Sequence, residues 1–408
     1  MLKKIPVERL RAGMFIHELC GDWMSHPFWR ARFRLNGGDD LQRIVESGIR
    51  HVYIDTDKGL DDAEAVDAGA VREAVEAQMV AALATPEETP LRVSVAEEME
   101  RARRVHEQAH RVVRGMMQDV RLGRAVSLED AEPVVEAITG SVLRNSGALI
   151  GLIGIKNKDD YTFLHSVSVC TLMIAFGRSL GLAGEDLRQA GIGGLLHDVG
   201  KMKVPDAVLN KPGRLTDAEF ALIKRHPGDG HAVLLETPGI GPVPLDITRH
   251  HHERLDGSGY PDGQRGEAIS SMARMAAIVD VYDAITADRC YHQGLPAAEA
   301  LRKMWEWSAA HFDQKLLQAF MRCVGIYPVG SLVRLESGRL GVVIDQNEGA
   351  LLTPRVRVFF STRSNAHIPP EIVDLGRKPG HGGGDRIVSA EAPDKWGVDP
   401  ARFLLREG

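Results

Sequence analysis

The sequence predicts a mainly α protein: an all-α central domain, a small α+β unit ahead of it and a β-rich C-terminal tail. Three observations predict this. Glu129 to about Val324 carries helical apolar spacing broken by short Gly/Pro loops. HVYID (His51 to Asp55) reads as a strand, just after DDLQRIVESGI, whose Leu41, Ile44 and Val45 mark a helix with a stop at Gly48. Beyond Tyr327, SLVRLESGRLGVVIDQ and PRVRVFF alternate or run β-branched around a Ser-Gly turn. The expected boundaries are 1–65 for the α+β unit, 66–136 for a helical linker, 137–325 for the helical domain and 326–408 for the tail.

Between these landmarks the elements follow in order. Asp61 to Ala84 is alanine-rich and helical, and TPEETP (Thr85 to Pro90) breaks it. From Val95 to Val120 one long helix carries Val95, Met99, Ala102, His106, Ala109, Val113, Met116 and Val120 in a heptad seam. That seam either packs on its own domain or forms a homodimer coil through residues 95–120, and the sequence leaves both open. TDAEF (Thr216 to Phe220) is a capping box, with Pro227 expected to stop its helix just after His226. Ser271 to Ala287 is a further helix, and GHGGGD (Gly380 to Asp385) is expected to be flexible.

Composition excludes several classes. The 408 residues are 44% apolar and 26% charged, enough for two or three domains with a large core. A net charge of −6 argues against a binder of nucleic acid polymers or of membrane surfaces. The longest stretch free of Asp, Glu, Lys and Arg, Tyr161 to Gly177, is shorter than the roughly 20 residues a membrane helix needs. The basic start MLKKIPVERLRAG breaks at Pro6 and Glu8 before any apolar run, so no signal peptide is expected. Cys20, Cys170, Cys290 and Cys323 form no CxxC motif, and scattered thiols suit a reducing, cytoplasmic location.

Chemistry concentrates in the helical region. His165, His197-Asp198, His226, His250-His251-His252, Asp280 and Asp283 are imidazoles and carboxylates, the donor types that suit iron, manganese, nickel or zinc. An adjacent His-Asp pair at a helix end can aim both side chains into one cavity, and Asp198 has two oxygens with which to bridge two ions. Two divalent ions about 3.5–4 Å apart would clamp a phosphodiester and activate a water.

The ordered set HDVGK (His197 to Lys201) and HHERLDGSGYP (His251 to Pro261), with His165, His226 and Asp280 at intervals of 32, 29, 25 and 28 residues, resembles the HD-GYP family of cyclic di-GMP phosphodiesterases. The resemblance covers roughly residues 140–325 and implies an HD-type helical domain. KIPVERLRAGMF, DWMSHPF and GIRHVYIDT resemble an accessory domain often found ahead of it. It implies that His165, His197, Asp198 and Asp280 hold one metal, and that Asp198 bridges to a second held by His226, His251 and His252. The expected cofactors are two divalent ions, iron or manganese ahead of nickel or zinc. Lys201 would meet the scissile phosphate or a bridging hydroxide, Arg289 would hold a phosphate oxygen, and Asp283 would sit near the substrate and orient a water or a ligand, or shuttle a proton. Gly259, Tyr260 and Pro261 would form a loop that shapes the site and meets a protein partner such as a diguanylate cyclase. The product would be linear pGpG, possibly followed by GMP. The alternatives are a non-catalytic sensor of the dinucleotide and an HD phosphohydrolase of another cyclic nucleotide.

The chain departs from the family at two places. Tyr161 stands where some members carry a glutamate that supports a third metal, so two ions are expected, with Asp159 and Asp160 out of phase on the helix. DRCYHQ keeps Arg289 but has His292 where a cation is usual. Several other residues read as structural: His250, because three consecutive side chains cannot reach one ion; His231, His311, Trp305 and Trp307 as core or surface; and Gly191 to Gly194 as close helix packing with no preceding strand.

Overall fold

A computed structural model of the chain describes residues 1–21, 32–82, 93–154, 161–211, 213, 215–287, 294–308, 310–347, 350–377 and 384–404. The N-terminal unit is a five-stranded antiparallel sheet of β1 (Leu2–Pro6), β2 (Phe15–Leu19), β3 (Phe33–Arg34), β4 (His51–Asp55) and β5 (Val66–Asp67), in the order β3-β2-β4-β1-β5. Helix α1 (Gly38–Glu46) covers it. Only β4 was legible beforehand: β3 and β5 are two residues each, and β1 pairs with strands far along the chain, Leu2 opposite Asp55 and Lys3 opposite Asp67. Ile5, Met14, Ile16, Ile44, Val52 and Ile54 form a core separate from that of the helical domain.

Helix α2 (Ala68–Ala82) leads to α3 (Val95–Arg121), which opens on a capping box of Ser94 and Glu97. The heptad stripe of α3 is spent inside the chain: Val95, Met99, Ala102, Ala109, Val113, Met116 and Val120 are buried in the central core with residues of α4 (Leu128–Ile153). The seam therefore presents no free apolar face for a coil. Buried Glu98 is fixed between the two helices by Arg144 at 2.7 Å and Ser141 at 2.8 Å. α4 breaks at Asn145, whose amide donates to Val93 O and accepts from Gly147 N, both at 2.9 Å, replacing lost ladder bonds.

The charge-free stretch is α5 (Tyr161–Ser179), a core helix buried from His165 to Phe176. Among the described residues no helix is long and apolar enough to cross a membrane. α6 (Gly184–Leu196) presses against α4, α5 and the later helix Pro242–His250 because Gly191, Gly193 and Gly194 leave room: a Cβ on Gly193 would lie 2.5 Å from Ile247 and one on Gly191 2.8 Å from Val135. Close helix packing was the expected reading of these glycines. A 3-10 turn (Val199–Lys203) follows, then α7 (Asp206–Leu209), α8 (Asp217–Ile223), α9 (His226–Leu235), α10 (Pro242–His250) and α11 (Ser271–Thr286). The capping box at Thr216 and Glu219 is present, but α8 ends at Ile223, and Pro227 sits in the first turn of α9. Proline lacks an N–H that this turn leaves unpaired anyway, so it starts a helix here instead of stopping one.

α12 (Ala297–Trp307) and α13 (Gln314–Val324) close the helical domain, with Trp305 and Trp307 in its core. The tail is an antiparallel sheet of β6 (Leu332–Leu335), β7 (Arg339–Asp345), β8 (Arg355–Ser361), β9 (Ala366–Asp374) and β10 (Ile387–Ala390), ordered β10-β6-β7-β8-β9, followed by α14 (Pro393–Trp396) and α15 (Ala401–Leu404). Of the GHGGGD run, Gly380 to Gly383 lie outside the described residues.

Candidate metal centre

Helix ends position the donors. His197 ends α6 and Asp198 opens the 3-10 turn, His226 opens α9, and His251 and His252 leave α10. His165 and Asp280 come from the interiors of α5 and α11. The turn lies against α9 because residue 200 is glycine: a Cβ there would sit 2.0 Å from the His226 carbonyl oxygen. That approach brings Asp198 Oδ1 to 3.2 Å from His226 Nε2.

Four imidazoles are aimed by their outer nitrogens. Nδ1 of His197 donates to Gly194 O at 2.8 Å, that of His226 to Ile223 O at 2.8 Å and that of His251 to Thr248 O at 3.0 Å. A carbonyl oxygen only accepts, so each Nδ1 carries the hydrogen and each neutral ring turns an Nε2 lone pair inward. His165 Nδ1 is held by Asp283 Oδ2 at 2.7 Å. The inward atoms converge: His165 and His197 Nε2 lie 3.2 Å apart, as do His226 and His251 Nε2. Lone pairs that close repel one another unless a proton or cation lies at their convergence.

Two donor groups result. His165, His197 and Asp280 form one, and Asp198, His226, His251 and His252 form the other. Asp198 Oδ2 also reaches the first group, at 3.4 Å from both His165 and His197 Nε2. One carboxylate thus addresses both groups through different oxygens. Asp198 Oδ1 and His252 Nε2 are buried and lack a hydrogen-bond partner, which is costly for groups out of water. A pair of divalent cations fits this donor set. Lys201 Nζ bonds Asp198 Oδ2 at 2.5 Å, at the rim of the cluster.

Electrostatics keep most of the donors ready, His197 excepted, where burial is outweighed by Asp198 and Asp280, which raise it. Burial, then the repulsion a second protonated ring would meet from His197 and His226, brings His251 down to about 3, and similar causes hold His252 well below the usual imidazole range. Burial opposes ionisation of Asp198, yet Lys201 and His197 outweigh it and hold the carboxyl well below its usual range. Neutral imidazoles and ionised carboxylates are the forms that bind a metal.

The predicted residues come together with one correction. Asp283 was expected near substrate; it is buried behind His165, pointing away from the convergence of Nε2 atoms, because one helical turn separates it from Asp280 and His165 lies between them. Tyr260, expected in a loop that shapes the site and meets a partner, packs its ring on His252 at 4.7 Å between centroids and carries Lys224 Nζ 5.1 Å above it. Gly259 lies close under this loop, where a Cβ would come within 2.5 Å of Glu253 Cα, while Pro261 is exposed. Arg289, Cys290 and His292 lie outside the described residues, as do Asp159 and Asp160. His250, read as no ligand, bonds Asp246 at 2.7 Å and Asp262 at 3.1 Å.

Sequence reasoning missed Glu253. Its buried carboxylate accepts from the N–H groups of Asp262 at 2.7 Å, Gly263 at 3.1 Å and Gln264 at 3.0 Å, fixing the loop after Pro261. The available signal was a carboxylate directly after the His pair and ahead of a glycine-rich loop.

This fold and donor set define an HD-type metal-dependent hydrolase domain. A family model described as "HD domain" matches residues 155–316, and one described as "Domain of unknown function (DUF3391)" matches residues 2–131. A cyclic di-GMP phosphodiesterase of Pseudomonas aeruginosa is 50% identical over 97% of this chain and 94% of its own. A cyclic di-GMP phosphodiesterase response regulator of Xanthomonas campestris is 38% identical over 39% of this chain and 42% of its own. A 3'3'-cGAMP-specific phosphodiesterase of Vibrio cholerae is 37% identical over 40% of this chain and 38% of its own. The chain belongs to the HD-GYP family.

Proposed function

We propose that the protein is a metal-dependent phosphodiesterase that hydrolyses cyclic di-GMP to linear pGpG and on to GMP. The near full-length likeness to the Pseudomonas enzyme supports the substrate. The observation that carries the chemistry is Asp198, one buried carboxylate whose two oxygens face two histidine groups. In this reading His165, His197, Asp280 and Asp198 would hold one ion, and Asp198, His226, His251 and His252 would hold the other. Bound there, two divalent ions supply Lewis acidity and lower the pKa of a water. Mixed oxygen and imidazole donors without thiolate favour iron or manganese.

The chain's own groups do the rest. Lys201 reaches the cluster from the rim, where its ammonium offsets negative charge growing on a phosphate oxygen in a water-poor site. Arg289 holds a non-bridging oxygen, the role its guanidinium fork suits. Asp283 fixes the His165 ring and does not touch substrate. Tyr260 walls the His252 side.

The proposal extends to context. Exposed Pro261 and Asp262 supply the surface for a protein partner such as a diguanylate cyclase. Free Cys20, Cys170 and Cys323 support a reducing cytoplasm. A dimer through residues 95–120 would have to use the polar outer face of α3, since its apolar seam is buried. The division 1–65, 66–136, 137–325 and 326–408 is our reading of the sequence, with the N-terminal sheet extending to Asp67 in β5 and α4 running across the boundary at 136. The test is incubation of the Mn2+-loaded full chain with cyclic di-GMP and, separately, 3'3'-cGAMP, with products separated by chromatography. The reading expects pGpG, then GMP, and faster loss of cyclic di-GMP; intact dinucleotide with metal bound contradicts it.

A further inference from the structure

The N-terminal unit touches the loop that leads into Tyr260. Arg50, at the foot of β4, donates to Asp256 Oδ2 at 2.9 Å. The other oxygen, Asp256 Oδ1, accepts from Ser258 N at 3.0 Å and Ser258 Oγ at 2.6 Å. Gly48, in the turn after α1, leans on the same serine: a Cβ there would lie 3.4 Å from Ser258 Cβ. Two residues on, Tyr260 N donates to His252 O at 3.2 Å, and its ring lies on the His252 ring. The backbone beneath is tied as well, with Asp256 N to Ala310 O at 3.1 Å. A path thus runs from Arg50 through Asp256 to Ser258, then along the backbone through Gly259 to Tyr260 and His252.

We propose that Arg50 is a positioning residue of the metal centre, through which the N-terminal unit holds the 256–260 loop and sets Tyr260 against His252. This rests on the reading of His252 as a metal ligand. Arg50 is itself exposed, and an exposed ion pair alone contributes little. Its leverage comes from the partner: the Asp256 side chain is only 12% exposed and one carboxylate serves both the N-terminal unit and the turn. A second anchorage is separate from this route. Tyr53 Oη donates to Glu306 at 3.0 Å and Lys4 Nζ lies 3.6 Å from the same carboxylate, holding the sheet on α12 without touching the loop.

Two measurements on the metal-stripped full chain test this: calorimetric titration with Mn2+, and amide exchange at residues 256–262. Arg50→Glu is expected to weaken one of two Mn2+ binding steps by about fivefold and to speed exchange at Tyr260. Arg50→Lys keeps the charge and is expected to retain both properties. Tyr53→Phe, which loosens the sheet elsewhere, is expected to leave both unchanged. Wild-type behaviour of Arg50→Glu in both measurements overturns the proposal, as does an equal shift in Tyr53→Phe. Failure of the wild type to take up Mn2+ overturns the metal reading instead, and the exchange rate at Tyr260 then still decides whether Arg50 holds the loop.

Discussion

Asp283 stands behind His165, its Oδ2 accepting from the imidazole Nδ1 at 2.7 Å. This contact sets which nitrogen of His165 faces Asp280 and raises the ring's basicity as a ligand. Replacing Asp283 by asparagine keeps the shape and removes the charge. The expected result is a loss of about 10- to 100-fold in metal affinity, the usual cost of removing such a partner, with KM for cyclic di-GMP little changed once metal is saturating. A large rise in KM at saturating metal would restore the substrate-contact role.

Gly200 is fixed by a carbonyl. A Cβ at this position would lie 2.0 Å from His226 O and 2.4 Å from Gly230 N, both backbone atoms that cannot swing aside. Gly200→Ala is expected to cost about 1–3 kcal/mol through overpacking and to separate Asp198 from His226. Urea melts and Mn2+ titration check this; a variant matching the wild type in both would mean the turn has slack.

Lys201 predicts a split between binding and rate. Lys201→Met removes the ammonium beside Asp198 and leaves all seven donors in place. The turnover number is expected to fall by about 10²–10³, the scale for losing a charge-stabilising donor, with two ions still bound per chain. Unaltered turnover would assign the lysine to closing its turn.

The buried imidazoles make the metal-free protein acid-sensitive. His251 titrates at about 3 in the fold and near 6.5 when unfolded, so between those values the unfolded chain binds the extra proton. Stability must then fall as pH drops from 6.5 towards 3. His252 and His226 act in the same sense. His197 is raised instead, burial being outweighed by Asp198 and Asp280, and works in the opposite sense. Three against one, the urea midpoint of the metal-free chain is expected to fall between pH 7 and pH 4.5, less steeply in His251→Asn. A flat or rising midpoint would show the rings protonated in the fold.

Much of the site was legible because metal ligation demands particular residue types. His165, His197-Asp198, His226, His250-His251-His252, Asp280 and Asp283 stood out by donor chemistry in one helical region, the resemblance to the HD-GYP family sorted seven of them into two ligand groups, and helix ends together with the interiors of α5 and α11 bring those seven together. Orientation was not legible. Whether Asp283 faces substrate or His165 depends on how α5 lies beside α11, which the spacing of either helix does not encode. The same limit hid Glu253, whose partners are backbone amides without side-chain signature. In the fold, the long amphipathic and core helices were visible by period, whereas β3 and β5, two residues each, exist through pairing with distant strands and leave no local pattern. The stripe on α3 shows a further limit: periodicity says that a face is buried but not against what, and here the cover is α4 of the same chain.

The central claim is that Asp198 serves two ions at once, and its most direct measurement is metal content per chain in Asp198→Ala against the wild type, after loading with Mn2+ and desalting. The account predicts two ions in the wild type and less than one in the variant, because both donor groups lose a carboxylate oxygen together. A variant that keeps two ions and hydrolyses cyclic di-GMP at the wild-type rate would contradict it.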